Sequence, residues 1–278
     1  MLEHEIPKGS RLYFGKKAKQ KRDLEYIVSE IFFNEKFEEI LTPYFSYFED
    51  KIINDSNQLI KISDEDNNQL SLRSDSSLDV VRIITKRLGR TTKHKKWFYI
   101  QPIFSYPSYE RYQIGCECIE DDNISNIINL TSKIVEKLNI SPLLQISNIN
   151  IVKLVCNELN LDIDLFTNSK ISTLFDLNIN WLNILLRLNS IDELKEAIVE
   201  VPISLKEELI KLEKVVTNIK YKNISIAPLY NGSMKYYDDI YYRFISSNLV
   251  LSNGGSYKTE GVKSLGFALY TDNLLEVL

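Results

Sequence analysis

Trp97-Phe98-Tyr99-Ile100-Gln101-Pro102-Ile103-Phe104-Ser105 and Arg111-Tyr112-Gln113-Ile114-Gly115-Cys116-Glu117-Cys118-Ile119-Glu120 decide the fold. Both stretches are dense in aromatic and β-branched residues, the types that fit a pleated, half-buried surface. They read as two long strands around a short loop. Pro102 and Pro107 limit where ladder hydrogen bonds can form, because proline has no N–H to donate.

Upstream of this pair, Lys16 to Phe33 reads as an amphipathic helix, with Leu24, Ile27, Val28, Ile31 and Phe32 on one face at three- and four-residue steps. A short strand closed by Pro43 follows. Two apolar runs between Leu59 and Arg73 flank Asp64-Glu65-Asp66-Asn67-Asn68, a polar turn cluster, and so predict a β-hairpin. Another helix is expected from Ser77 to Leu88.

Downstream the period becomes helical from about 123 to 223, interrupted by one extended segment, Leu143 to Ile146. Asn, Ser and Asp stand where helix N-caps belong. The chain then returns to strands at Ile224 to Ala227, Lys235 to Phe244, Leu249 to Leu251 and Leu265 to Tyr270. Strands, then helices, then strands imply an α+β fold. The expectation is one domain over 1–278, its sheet drawn from about 1–122 and 224–278 and split by a helical insertion over about 123–223.

Composition excludes several classes. At 278 residues the chain can bury a substantial core, and 44% hydrophobic with 26% charged residues is ordinary for a globular protein. No apolar run approaches the roughly 20 residues of a membrane-spanning helix. The acidic start, Met1 to Glu5, does not read as a secretory signal, which points to a cytoplasmic protein. The net charge of −4 argues against nucleic acid as a partner, although Lys16 to Arg22 and Lys86 to Lys96 are locally basic. Three cysteines and two histidines, His4 and His94, offer little for a metal site or a histidine base, and no metal or cofactor is expected.

The polar residues that interrupt these elements form an ordered series: Leu72-Arg73-Ser74-Asp75, then Gln113-x-Gly115-x-Glu117, then Tyr236-Tyr237, Gly254-Gly255 and Gly266-Phe267-Ala268. Each has an ordinary reading. Gln113 and Glu117, four apart, suit the exposed face of a strand, and Tyr236-Tyr237 an unremarkable strand pair. Asp75 suits a helix N-cap and Gly254-Gly255 a turn.

Taken together, the series resembles the catalytic domain of class II aminoacyl-tRNA synthetases, an antiparallel sheet flanked by helices. Within that group it is most similar to histidyl-tRNA synthetases and their shortened relatives, the regulatory subunits of ATP phosphoribosyltransferase. Ile6-Pro7-Lys8-Gly9 and Phe37-Glu38-Glu39-Ile40-Leu41-Thr42-Pro43 resemble the family's start and its first, dimer-forming motif. Nearly the whole chain, from about Ile6 to Leu278, is covered.

The resemblance implies a histidine pocket. Histidine presents an ammonium, a carboxylate and an imidazole that donates at one nitrogen and accepts at the other. By resemblance Asp75 pairs with the ammonium, Gln113 orients the amino-acid backbone, and Glu117, Tyr236 and Tyr237 face the imidazole. Gly254 and Gly255 let backbone approach the ligand closely.

Adenylate formation needs fixed cations around the nucleotide's phosphates, for which bidentate Arg is best suited. Ser105, Gly232 and Asn273 stand where the family's arginines would be. Each such contact contributes on the order of 3 kcal/mol to the transition state, so three losses predict no useful turnover. Arg73, Arg111 and Lys235 are the candidates to substitute. An anticodon-binding domain is also absent from the resemblance.

The resemblance therefore implies a non-catalytic regulatory subunit acting at the first step of histidine biosynthesis. Its implied partners are a short-form catalytic subunit in a hetero-octamer, a second copy of the chain through the first motif, and L-histidine as feedback effector. A residual histidyl-adenylate-forming enzyme and a tRNA- or protein-binding paralogue are the alternatives.

Overall fold

The computed structural model describes residues 5–47, 56–166, 170–232, 236–259 and 261–278. His4 and Lys235 lie outside the described residues. The elements in chain order are α1 (Gly15–Asn34), β1 (Glu38–Glu39), β2 (Phe45–Tyr47), β3 (Lys61–Ser63), β4 (Gln69–Leu72), α2 (Ser76–Ile83), β5 (Lys96–Ser105) and β6 (Tyr109–Ile119). There follow α3 (Ile124–Lys137), β7 (Leu143–Asn148), α4 (Ile149–Leu159), α5 (Asn180–Arg187), α6 (Ile191–Glu200), α7 (Ile203–Thr217), β8 (Ile224–Ile226), β9 (Tyr237–Ser246), β10 (Leu249–Thr259), β11 (Val262–Tyr270) and α8 (Thr271–Val277). The helix begun by α2 continues as a π-helical segment over Ile84–Leu88. The chain divides into two compact units, one of residues 1–120 with 259–278 and one of residues 121–258.

In the first unit β5 and β6 pair antiparallel, Trp97 opposite Glu117 and Ser105 opposite Tyr109, and β11 pairs antiparallel with β6 on its other side. β1 lies parallel to β5, with Glu38 opposite Trp97. Successive side chains of a strand point to opposite faces, so this register sorts the residues. One face collects Phe98, Ile114, Cys116, Leu265 and Phe267, all buried. α1 covers it through Leu24, Val28, Ile31 and Phe32, and the Phe32 ring stacks on Phe98 at 4.9 Å between centroids. Burying each such side chain contributes about 1.5–3 kcal/mol. Glu25 is buried on the same helix because Lys21 and Arg22 donate to its carboxylate.

The hairpin expected between Leu59 and Arg73 is present: β3 and β4 pair antiparallel around Asp64, whose carboxylate accepts from the Asp66 and Asn68 N–H groups. β2 adds a third strand.

In the second unit the strand order is β10-β9-β7-β8, the first two pairings antiparallel and the last parallel. Helices α4 and α7 pack against β9 and β7. Asn123, Asn148 and Ser190 cap α3, α4 and α6, the last with a reciprocal capping box to Glu193. Within the stretch expected as a helical insertion, β7 pairs with β9 and β8.

Two expectations need correction. The strands are mixed, because β1 with β5 and β7 with β8 run parallel. Parallel neighbours require long crossovers, which residues 40–95 and the helices from α4 to α7 supply. Gly254-Gly255 is no turn. Both glycines sit inside β10, which runs on to Thr259 instead of ending at Leu251.

Candidate functional site

The second face of the first unit's strands is polar, and register places its members side by side. Tyr99 lies opposite Gly115, Gln101 opposite Gln113, and Glu117 opposite Gly266. Gln113 is 2% exposed and Glu117 fully buried, so neither belongs to an exposed strand face. Buried polar side chains are costly unless partnered, and a row of them on one face needs a reason.

Two glycines make the row possible. A Cβ on Gly115 would collide with the Tyr99 hydroxyl and stand 2.7 Å from the Phe267 carbonyl oxygen. A Cβ on Gly266 would fall inside the Glu117 carboxylate. The phenol and the carboxylate lie in space that any other residue would fill.

α2 packs against β6 and β11 and brings two more groups. Asp75 is its N-cap, accepting from the Leu78 N–H at 3.1 Å. The Ser77 hydroxyl is 3.2 Å from the Tyr99 hydroxyl. Burial raises the Asp75 carboxyl to about 6, against the N–H groups of Leu78 and Ser77, which lower it, and with help from the neighbouring Asp79 charge. The Tyr99 phenol is pushed well above its ordinary value by burial first, then by the Glu117 and Asp75 charges. Asp75, Glu117 and Tyr99 therefore share one electrostatic neighbourhood.

Arg73 does not serve this face as a substitute cation. It is fully buried, and its Nε and Nη2 donate to the Pro102 carbonyl oxygen at 3.0 and 2.6 Å. Its Nη1 donates to the carbonyl oxygens of Thr42 and Pro43 and to the Thr42 hydroxyl. Every nitrogen of the guanidinium holds backbone together. Arg111 is exposed at the start of β6.

Tyr236, Tyr237, Gly254 and Gly255 belong to the second unit. Tyr237 lies within 4.5 Å of Tyr236, 5.1 Å of Tyr241 and 6.2 Å of Tyr257, ring centroid to centroid. A Cβ on Gly255 would meet the Tyr237 ring at 2.7 Å, and one on Gly254 the Tyr242 hydroxyl at 2.5 Å. Aromatic rings on β9 thus fill the places of absent side chains on β10, which is why glycines persist inside a strand. Their close approach is to these tyrosines.

Of the three positions expected to stand where the family's arginines would be, Ser105 ends β5 and Asn273 lies in α8. At Gly232 a Cβ would stand 3.0 Å from the Tyr241 ring, so that position is crowded as well as uncharged. Tyr99, Gln101 and Ser77 escaped sequence reading. The signal for Tyr99 and Gln101 was the alternation through Gln113 and Glu117, carried onto β5 by register; Ser77, on α2, had none.

This face combines two carboxylates, a phenol, a hydroxyl and two amides, a set rich in acceptors that suits a ligand presenting N–H donors. Among the described residues no cluster of His, Cys, Asp and Glu could hold a metal ion.

The family model described as histidyl-tRNA synthetase matches residues 13–274. The chain is 42% identical over 276 residues to an ATP phosphoribosyltransferase regulatory subunit from Wolinella succinogenes, covering 99% of this chain and 96% of that one. It is 38% identical over 278 residues to another from Helicobacter hepaticus, covering 100% and 99%. A solved structure of an ATP phosphoribosyltransferase regulatory subunit/histidyl-tRNA synthetase from Bacillus halodurans superposes with a TM-score of 0.89 at 19% identity. It covers all of this chain and 84% of that one, and shows the same fold.

Proposed function

Because the chain belongs to the histidyl-tRNA synthetase family, and within it to the ATP phosphoribosyltransferase regulatory subunits, we propose that it is the non-catalytic partner of a short-form ATP phosphoribosyltransferase catalytic subunit. It is required for that subunit's activity in the first step of L-histidine biosynthesis. The observation that carries this reading is full-length similarity to regulatory subunits in a chain whose three expected arginine positions hold Ser105, Gly232 and Asn273. No reading as an adenylate-forming enzyme is needed.

L-histidine is the effector in this reading. Asp75 and Gln113 receive its ammonium, and the Glu117 carboxylate accepts from the imidazole N–H. Such a site rejects analogues lacking these atoms, because its own buried groups would be left unpaired. For Tyr236, Tyr237, Gly254 and Gly255 the assignment to histidine rests on the family resemblance. Feedback requires that histidine and the active state of the catalytic subunit bias one shared equilibrium, typically by about 1–3 kcal/mol.

The subunit works in the cytoplasm, as a homodimer through the first motif within a hetero-octamer. Supporting the dimer, Leu41, Tyr44, Phe45 and Tyr47 are all exposed, Leu41 to 73%. Supporting the location, no helix among the described residues is long and apolar enough to cross a membrane.

The test is co-elution of the purified chain with a short catalytic subunit, followed by the rate of phosphoribosyl transfer with and without L-histidine. Complex formation, a rise in rate and its loss on adding histidine are expected. Failure to co-elute together with an unchanged rate would overturn the reading.

A further inference from the structure

Gln101 lies in the middle of β5, 3% exposed, on the same face as Tyr99 and directly opposite Gln113. Its amide orientation is fixed. The Thr42 N–H must have an acceptor and finds the Gln101 Oε1 at 3.3 Å, and the Thr42 hydroxyl donates to the same oxygen at 3.2 Å. That hydroxyl in turn accepts from Arg73 Nη1 at 2.9 Å. The relay from Arg73 through Thr42 thus engages the oxygen and leaves Nε2 on the opposite side of the amide, away from Thr42.

There Nε2 has no hydrogen-bond partner, and neither has the Oε1 of Gln113. Cross-strand neighbours have Cβ atoms about 4.5–5.5 Å apart, so a buried donor and a buried acceptor stand side by side, each unpaired. Leaving two such groups unmatched is costly in a folded protein. One ligand class relieves both: a group that accepts next to one that donates, as the carboxylate and ammonium of a free α-amino acid do.

We infer that Gln101 contacts and selects the ligand of this face, its Nε2 donating to the carboxylate of a free α-amino acid while Gln113 Oε1 accepts from the ammonium. A neutral amide does this in a buried site without importing a cation. The inference rests on the proposed histidine pocket and names the group that recognises the carboxylate end.

The experiment is calorimetric titration of the full chain with L-histidine and with histamine, which lacks the carboxylate, repeated on Gln101→Glu. The substitution keeps an oxygen for Thr42 while removing the donor that faces the ligand, and thermal melting checks that the variant is folded. The unmodified chain should bind histidine at least about tenfold tighter than histamine, the effect of one charge-assisted hydrogen bond. Q101E should abolish that preference. Histidine binding by the unmodified chain with no preference over histamine, or with the preference intact in Q101E, overturns the Gln101 assignment and leaves the pocket standing. No histidine binding by the unmodified chain overturns the pocket and the assignment together. The histamine comparison needs no variant, so a misfolded Q101E would not shield the inference.

Discussion

The Cα of Gly266 on β11 lies against the carboxylate of Glu117 on β6, its direct cross-strand partner. Gly266 is therefore part of how Glu117 is held in a buried position. In Gly266→Ala the new methyl would overlap Oε2 and stand 2.5 Å from the Cys116 carbonyl oxygen. Overpacking of this kind destabilises by about 1–3 kcal/mol. Urea denaturation should show that loss, and calorimetry should show histidine affinity reduced by about tenfold or more, as expected for a misplaced charged contact. Unchanged affinity in a folded variant would remove Glu117 from the ligand's surroundings.

Arg73 supports the fold and touches the polar face of the first unit's strands through Thr42, which donates to Gln101. Arg73→Met would leave the carbonyl oxygens of Thr42, Pro43 and Pro102 without this donor, those of Thr42 and Pro102 in buried surroundings. The expected loss is on the order of 3 kcal/mol or more, since hydrogen bonds to charged groups contribute about 1.5–3 kcal/mol each. Arg73→Lys should recover only part of it, because an ammonium cannot reproduce the planar fork that spans Pro102 and Thr42. Equal urea midpoints for the lysine variant and the native chain would contradict this role.

These two residues show how far sequence reading carries. α1 was readable because its buried face repeats at the helical period, and the hairpin because Asp64 to Asn68 is turn chemistry. Strand registers were not, since pairing depends on partners distant in the chain. Without register, Gly266 is a small residue in a motif and Gln101 an ordinary polar residue beside a proline. Gly254 and Gly255 looked like a turn because the Tyr242 and Tyr237 rings that replace their side chains sit on another strand. From sequence Arg73 is a candidate ligand cation, because only the fold brings Thr42, Pro43 and Pro102 around it.

Asp75 should make stability depend on pH in a direction opposite to most carboxylates. Its folded value is raised to about 6 from 3.8 by burial, so between these values the folded chain binds more protons than the unfolded one. Stability from this group is fully present below pH 3.8 and is lost as pH rises through about 6. The shift corresponds to a loss on the order of 2–3 kcal/mol. Asp75→Asn keeps an oxygen for the Leu78 N–H and removes the titration. Urea midpoints of the native chain, relative to Asp75→Asn, should therefore fall from pH 4 to pH 7. A flat difference would show that Asp75 titrates normally.

Phe45 and Tyr47 on β2 point a different prediction outward. They are 56% and 65% exposed, and Leu41 and Tyr44 nearby are exposed as well. Aromatic residues left open to water on neighbouring positions mark a surface that another molecule covers. A two-fold interface applies each substitution twice, once per copy. Phe45→Glu would bring two carboxylates into it, and a buried unpaired charge costs several kcal/mol. Because Phe45 is exposed in the single chain, the same change should leave the melting of the isolated fold nearly unaltered. Sedimentation equilibrium should show a dimer for the native chain and a monomer for Phe45→Glu. A dimer that survives this substitution would place the contact between copies on another surface.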